Sequence, residues 1–210
     1  MANLITELIP DQPFQIIQDR IGEILLEELT AQHVLQDLDS SFELFVERIM
    51  PYGESEDVVI TIACREQDNQ EYTQRNSQGH YLYFVDIFCG GVEVGNMSMS
   101  ENVRLKLFKY VGIVKYILNS GKYPTLGFSK GLIGNKHVKK VTFDTDYSNW
   151  GNHSNYDASG IRFCRILFSV IALEDNLLWG GDGTALTPLA GNDSVVYTST
   201  DKGTQLTFNN

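Results

Sequence analysis

The polar stretch between residues 143 and 159, FDTDYSNWGNHSNYDAS, gathers three aspartates, a histidine and several side-chain amides. Asp144 and Asp146 stand at the first and third positions of a calcium-binding EF-hand loop. The match then fails, because Asn149 replaces the glycine needed for the sharp turn and Asn155 replaces the bidentate glutamate. The stretch therefore does not predict a calcium site.

The single histidine of this stretch, His153, does not complete another kind of site. A transition-metal centre needs convergent histidine or cysteine ligands, and none lies at helical or short-loop spacing from His153. As a general base beside Asp157 it lacks a serine or cysteine in a recognisable nucleophile turn. We expect a solvated loop histidine, and a protein that is not an enzyme and has no metal or cofactor.

A second chemical motif, GGVEVG at residues 90–95, follows a predicted strand and precedes a predicted helix. That is the setting of a phosphate-binding loop. However, Asn96 and Met97 stand where such a loop needs lysine and a hydroxyl residue, so nothing would hold the phosphates or magnesium. We interpret the motif as a strand-to-helix connection.

The charge of the chain limits its partners. The 210 residues include 16 lysines and arginines against 27 aspartates and glutamates, which gives a formal charge of -11. Free nucleic acid and anionic membranes would be repelled by such a chain. The N-terminal sequence MANLITELIPDQ lacks a basic start and an apolar core, so we expect a soluble, unsecreted protein.

One basic cluster, at residues 136–140, opens a predicted strand immediately before the acidic stretch described above. Opposite charges on adjacent segments suit contact between identical subunits. The predicted subunit-contact residues are Lys136, Lys139, Lys140, Asp144, Asp146, Trp150, His153 and Asp157.

Hydrophobic periodicity predicts two helices and five core strands. Asp11 is the expected cap of a first helix with an apolar stripe from Phe14 to Leu29, and Ser98 and Glu101 have the spacing of a capping box for a second helix. Strands are predicted at 43–50, 57–64, 80–89, 138–144 and 160–173, with the last one central, and the helix after the third strand at 100–120.

This order, α-β-β-β-α-β-β, predicts an α+β fold with one mixed or antiparallel sheet of about five strands and both helices packed on it. We expect one domain at residues 1–175. Residues 176–210 are predicted to form a linker rich in Gly, Thr and Asp and a hairpin arm at 195–208 that adds strands to a neighbouring subunit. Cys64, Cys89 and Cys164 are expected to be buried, reduced thiols.

Two runs of the chain, YVGIVKYILNSGKYPTLGF (110–128) and KGLIGNKHVKKV (130–141), resemble the tail-terminator, or tail-completion, proteins of tailed bacteriophages. In that family a helix ends in a short polar turn, an LGF-like element follows, and a glycine-containing turn leads into a strand. IIQDRIGEILLEEL and FELFVERIMPYG are also similar, so the likeness covers residues 14–175. The matching residues are Leu126, Gly127, Phe128, Gly134 and Val138.

The resemblance implies a ring of six subunits at the head-proximal end of a tail tube. Such a ring stops tube growth and joins the tail to the neck or connector protein, while DNA passes through without specific binding. It also implies a virion location, with assembly in the host cytoplasm and no membrane contact. The predicted lumen residues, placed on loops between strands, are Glu54, Glu56, Glu66, Asp68 and Glu71.

Three alternatives stay open at this stage. A different neck or head-tail connector ring carries the same order of elements. A divalent-metal-dependent hydrolase or nuclease would use Asp144, Asp146 and Asp157, and a chelator would inactivate it. A monomeric or dimeric adaptor would use the same acidic loops without forming a ring.

Overall fold

Two helices and seven strands form one mixed sheet with a helical layer in the computed structural model, which describes residues 11–48, 52, 56–73, 76–91, 98–144, 161–174 and 195–208. This confirms the α+β class and the predicted chain order. The elements are α1 (Pro13–Gln36), β1 (Phe42–Val46), β2 (Val58–Thr73), β3 (Asn76–Gly90), α2 (Met99–Asn119), β4 (Ile133–Asp144), β5 (Ile161–Leu173), β6 (Val195–Thr200) and β7 (Gly203–Phe208).

The sheet has the strand order β4-β5-β3-β2-β1-β7-β6, and every pair is antiparallel except β1 with β2. The prediction of five strands is therefore wrong, because the hairpin β6–β7 joins the sheet of its own chain. β7 pairs with β1, and its Leu206 lies opposite Leu44 in the core. Burial of Leu206 and pairing of the open edge of β1 explain why the hairpin is not a free arm.

The prediction that β5 lies at the centre is also only partly correct. β5 is flanked on both sides, by β4 and β3, but the two added strands move the centre of the sheet to β2. Alternate residues of β5 from Cys164 to Ala172 are buried beneath the helices. This alternation is the period-2 pattern of a strand with one face on the core.

Each helix packs on a different half of the sheet. α1 contacts β1, β2 and β7, whereas α2 contacts β3, β4 and β5. Both bury stripes at helical spacing, which is why the periodicity located them correctly. The stripes are Ile17, Ile21, Leu25 and Leu29 on α1, and Val103, Leu107, Tyr110, Val114 and Leu118 on α2.

The caps of the helices are partly as expected. The Ser98 hydroxyl accepts a hydrogen bond from the Glu101 backbone at 3.4 Å, as the capping-box spacing predicted. The N-cap of α1 is Gln12 rather than Asp11, and the Gln12 backbone N–H donates to the Gln15 side chain at 3.2 Å. Pro13 therefore occupies the first helical position, which tolerates its missing N–H.

A smaller apolar cluster covers one end of the face opposite the helices. It contains Phe45, Tyr52, Val59, Phe88, Ile161 and Phe163. Beside it, the Arg165 guanidinium donates to both carboxylate oxygens of Asp86, at 2.7 and 2.6 Å. Burial raises the pKa of Asp86, and the Arg165 partner opposes that shift.

The three cysteines are free thiols, as expected, but only two of them are buried. Cys89 and Cys164 lie in the core, whereas Cys64 is half-buried on β2. Burial raises the pKa of each thiol, to about 12 for Cys164, which keeps them protonated at neutral pH. Of the described helices, neither has the length and apolar character needed to cross a membrane.

Because His33 is partly buried where the two helices meet, we predict that the stability of the protein depends on pH. The His33 ring hydrogen-bonds to the Tyr110 hydroxyl at 2.5 Å and packs on Phe42, with 4.9 Å between the ring centroids. Burial lowers the pKa of His33 below its usual value of 6.5, and the carboxylate of Asp57 opposes this. Below pH 6.5 the unfolded chain therefore binds more protons than the folded chain. The contribution of neutral His33 to the free energy of unfolding is complete above pH 6.5 and is lost as the pH falls below it.

The His33→Gln variant is expected to lose this part of the pH dependence. Urea unfolding at pH 7.5 and pH 5 measures it: the free energy of unfolding of the wild type should fall more between the two values than that of the variant. An equal fall in both proteins would show that His33 is protonated as easily in the folded chain as in the unfolded one.

Candidate subunit interface

The charges of the chain are segregated by segment. Residues 11–48 contain nine acidic and two basic residues, a net charge of -7, whereas residues 98–144 contain two acidic and nine basic residues, a net charge of +7. The acidic balance of the whole chain conceals this division. Two surfaces of opposite sign on one molecule favour contact with a second copy turned head to tail.

The fold places the two segments on opposite flanks of the sheet. α1 and β1, from the acidic segment, lie toward the β7–β6 edge, and α2 and β4, from the basic segment, lie toward the β4 edge. We call these the acidic flank and the basic flank. The inner sides of the two flanks meet where α1 contacts α2 and Lys122 pairs with Glu28 at 2.5 Å. Their outer sides lie at opposite edges of the sheet, where only a neighbouring copy can bring them together.

An aromatic surface interrupts the basic flank on the helical side. Phe108 of α2 meets Phe143 of β4 edge to face, with ring centroids 5.3 Å apart, and the Arg104 guanidinium lies over Phe108 at 5.3 Å. Both phenylalanines are about half exposed, and Tyr116 on the same helix is 78% exposed. Aromatic and arginine side chains are the types enriched at protein interfaces, and exposed clusters of them mark docking surfaces.

Both ends of the sheet have an unpaired edge among the described strands. β4 pairs with β5 alone, and β6 pairs with β7 alone. An edge strand exposes a row of backbone donors and acceptors that a second chain can complete. The bulge in β4 between Val138 and Lys140 limits how long a regular ladder can form there.

The predicted contact residues fall into different positions. Lys136 is used within the chain, because its ammonium donates to the carbonyls of Leu118 and Ser120 at 2.6 and 3.1 Å and so satisfies the end of α2. Burial lowers the pKa of Lys136. Lys139 and Lys140 are exposed on β4, which fits a contact role.

Of the predicted contact residues in the acidic stretch, the structure describes only the first, Asp144. Asp144 is the last residue of β4 and pairs with Phe163 of β5. Asp146, Trp150, His153 and Asp157 lie outside the described residues, as do residues 92–97, which include most of GGVEVG, and residues 176–194. Among the described residues, no group of three His, Cys, Asp or Glu side chains is placed to hold a metal ion.

The predicted lumen residues need one correction. Glu56 is 7% exposed, and its carboxylate accepts hydrogen bonds from Arg48 at 2.8 and 3.0 Å and from Lys202 at 2.5 Å. A buried, compensated carboxylate offers no free charge to a channel. The local acidic pattern does not show these partners, because Arg48 follows β1 and Lys202 lies in the distant β6–β7 turn.

The other lumen candidates lie on a strand and not on a loop. β2 continues to Thr73 and pairs with β3 along its polar half, so Glu66 and Asp68 are strand residues opposite Leu82 and His80, and both are exposed. Glu71 is also in β2, opposite Ser77, and Glu54 lies outside the described residues. Hydrophobic periodicity could not find this polar half, because its pairing depends on the backbone.

The residues that sequence reasoning missed are the aromatic ones. Phe108 and Tyr116 stand outside the buried stripe of α2, and Phe143 occupies an exposed position near the end of β4. Three exposed aromatic residues within one basic segment were a usable signal. Their proximity depends on the packing of α2 beside β4, which the sequence alone does not show.

The same surface contains a glycine whose substitution should stabilise the protein. Gly112 is an exposed residue in the middle of α2, and a Cβ atom added there would have no neighbour within 4 Å. We expect Gly112→Ala to raise the free energy of unfolding by about 0.5–1 kcal/mol, because alanine loses less backbone entropy in a helix.

Gly22 in α1 is the matched control for Gly112 in a urea unfolding experiment. An added Cβ at Gly22 would lie 2.8 Å from Leu206 and 3.3 Å from Val46, so crowding opposes the gain in helix propensity. Gly22→Ala should be neutral or destabilising. Equal stabilisation by the two substitutions would contradict the packing described for α1 and β7.

A scan of the sequence against known protein-family models finds no match, and a search of curated proteins finds none either.

Proposed function

We propose that this protein is a structural subunit of a bacteriophage particle. Six copies form a ring at the head-proximal end of the tail tube, where the ring ends tube polymerisation and joins the tail to the neck or connector. The resemblance of residues 14–175 to tail-terminator proteins supports this proposal, and so does the α+β fold with one sheet and a helical layer.

The observation that carries the proposal is the placement of net charges of -7 and +7 on opposite flanks of one sheet. Contact between unlike flanks is heterologous: one surface of each copy meets a different surface of the next. Repetition of such a contact gives a closed ring when the rotation between copies fits a whole turn. Contact between like flanks would bring together charges of the same sign and is disfavoured.

The overall charge suits passage of DNA through the ring. Six copies carry a formal charge of six times -11, or -66, so phosphate groups are repelled by the assembly as a whole. Pairing of the flanks uses exposed lysines of residues 98–144, such as Lys139 and Lys140, at the subunit contacts. The surplus of acidic residues is then left for the other surfaces. Glu66 and Asp68 are exposed members of that surplus.

Electron microscopy and native mass spectrometry test this function. The purified protein, alone at high concentration or mixed with tail tubes, should give toroids or capped tubes and a species of six times 23.7 kDa. Capped tubes should stop elongating when tube subunits are added. A monomer that ignores tail tubes under all these conditions would contradict the proposal, and rings that attach only to the capsid vertex would place the protein in the neck instead.

A further inference from the structure

A groove between α1 and α2 continues the aromatic surface of the basic flank. Its volume is about 360 Å³. Ile113, Ile117 and Gly112 form part of its lining, together with the aromatic side chains of Phe108, Tyr116 and Tyr123. Phe108 also contacts Phe143, so the groove reaches toward the β4 edge of the sheet. Its size and lining suit an aromatic side chain as the anchor of a partner.

The charges around the groove specify an acidic partner. Lys109 lines the groove and Lys115 lines an adjoining depression, and within the described part of the chain neither forms a salt bridge. Glu28 also lines the groove, but its carboxylate is already paired with Lys122 at 2.5 Å and with the Tyr123 hydroxyl at 2.7 Å. Two cations are therefore available to a docked carboxylate.

A second copy of the same groove is a poor occupant. A symmetric contact between two basic flanks would place Lys109 and Lys115 of one copy against the same residues of the other. Desolvating like charges in this way costs free energy without any compensating pair. The occupant must instead present an aromatic anchor beside carboxylates.

The acidic flank of the chain has this combination at Tyr197. Tyr197 lies on β6 and is 39% exposed, and its hydroxyl donates to the Glu23 carboxylate at 3.0 Å and contacts the Asp19 carbonyl at 3.4 Å. It is opposite Leu206, a core residue, so its side chain projects on the helical side of the sheet. Phe143, opposite the buried Cys164, projects on the same side at the other edge.

The carboxylates beside Tyr197 are in excess over their local cations. Burial, together with the nearby charges of Glu23 and Asp11, raises the pKa of Asp19 to about 6. Arg20 is the cation next to this group, and it is committed to Glu23 at 3.0 Å and to the Leu126 carbonyl at 2.8 Å. Additional positive charge from outside the chain would therefore stabilise this surface.

We propose that the Tyr197 edge of one copy docks in the α1–α2 groove of the next copy, with Asp19 and Glu23 facing Lys109 and Lys115. This inference rests on the proposed ring and specifies its subunit contact. When two copies stand side by side with their helices on the same side of their sheets, Tyr197 of one copy lies beside the Phe108–Phe143 surface of the other. The edge strands β6 and β4 then become neighbours.

Two variants remove the two halves of this contact separately. Gly112→Trp places a bulky side chain in the groove from an exposed helix position, where an added Cβ has no neighbour within 4 Å. Tyr197→Lys removes the aromatic anchor and puts a positive charge in its place, which Lys109 and Lys115 of the next copy would repel. Asn69→Lys is the matched control, because it adds the same charge at an exposed residue of β2, the central strand of the sheet, away from both edges.

Native mass spectrometry and sedimentation measure the association of each protein after circular dichroism has verified its fold. Each of the two interface variants alone should associate about tenfold or more weakly than the wild type, while Asn69→Lys should assemble like the wild type. A one-to-one mixture of Gly112→Trp and Tyr197→Lys should give a dimer and no larger ring, since one intact groove and one intact anchor remain.

The possible failures have different meanings. Rings formed by either interface variant alone, or a mixture that stays monomeric while the wild type assembles, would overturn this contact and leave the proposed function standing. Loss of assembly in Asn69→Lys as well would also overturn it, because an added lysine far from both edges of the sheet would then act like the removal of the anchor. A wild type that never associates would overturn the contact and the ring together.

Discussion

Replacement of Glu56 with alanine is expected to destabilise the folded protein by about 3–5 kcal/mol. The side chains of Arg48 and Glu56 are 3% and 4% exposed, and both carboxylate oxygens of Glu56 accept hydrogen bonds from Arg48, at 3.0 and 2.8 Å. Removing the carboxylate takes away the charged group that offsets much of the desolvation cost of the buried Arg48 guanidinium.

The cost is large also because Glu56 connects three parts of the sheet. Arg48 follows β1, Glu56 precedes β2, and Lys202 in the β6–β7 turn donates to the same carboxylate at 2.5 Å. The hairpin therefore depends on this carboxylate for its attachment to the end of the sheet. We expect Glu56→Ala to loosen β6 and β7 before the rest of the fold, with faster hydrogen exchange at their amides.

Urea unfolding of matched variants tests the prediction for Glu56. Glu101→Ala is the control, because the Glu101–Arg104 pair is at 3.5 Å with both side chains about half exposed, and such surface pairs contribute about 0–1 kcal/mol. The double variant Arg48→Met with Glu56→Leu should recover much of the loss, since it removes both buried charges. A loss below about 1 kcal/mol in Glu56→Ala would show that Arg48 finds other compensation.

Replacement of Gly127 with alanine is the second large effect, with an expected loss of about 2–4 kcal/mol. Gly127 has φ of +85°, a conformation that costs a side-chain-bearing residue about 1–2 kcal/mol. An added Cβ would also lie 2.5 Å from an Arg20 guanidinium nitrogen. Arg20 would have to move, although its guanidinium donates to the Leu126 carbonyl at 2.8 Å.

Gly131 provides the control for Gly127. It has a similar φ of +94°, but an added Cβ would have no neighbour within 4 Å, so Gly131→Ala should show the conformational cost alone. Thermal and urea unfolding of both variants separate the two contributions. Equal losses at the two positions would contradict the role of Arg20 in holding the Leu126–Phe128 turn.

The sequence predicted the helices well because their signals are local. Ser98 and Glu101 mark the start of α2, and the buried stripe from Ile17 to Leu29 marks α1. The predicted first strand, in contrast, ran too far. β1 ends at Val46 because Glu47 adopts φ of +54°, a change of backbone direction that the apolar residues beyond it did not reveal.

Long-range pairing accounts for what the sequence could not predict. The hairpin at 195–208 was correctly expected, but its place beside β1 depends on Leu44 and Leu206, which are far apart in the chain. The proposed interface is spread in the same way. Tyr197 and Glu23 are 174 positions apart, yet they share a hydrogen bond, and only the folded chain brings an aromatic residue to that acidic surface.

The most direct test of head-to-tail association is zero-length carbodiimide cross-linking of a ring assembled from isotopically light and heavy copies. Mixed-isotope products separate contacts between subunits from the Lys122–Glu28 pair within one chain. We predict that these products join lysines of residues 98–144 to carboxylates of residues 11–48, with Lys109 or Lys115 linked to Asp19 or Glu23. Inter-subunit products confined to other segments would contradict assembly through the two flanks.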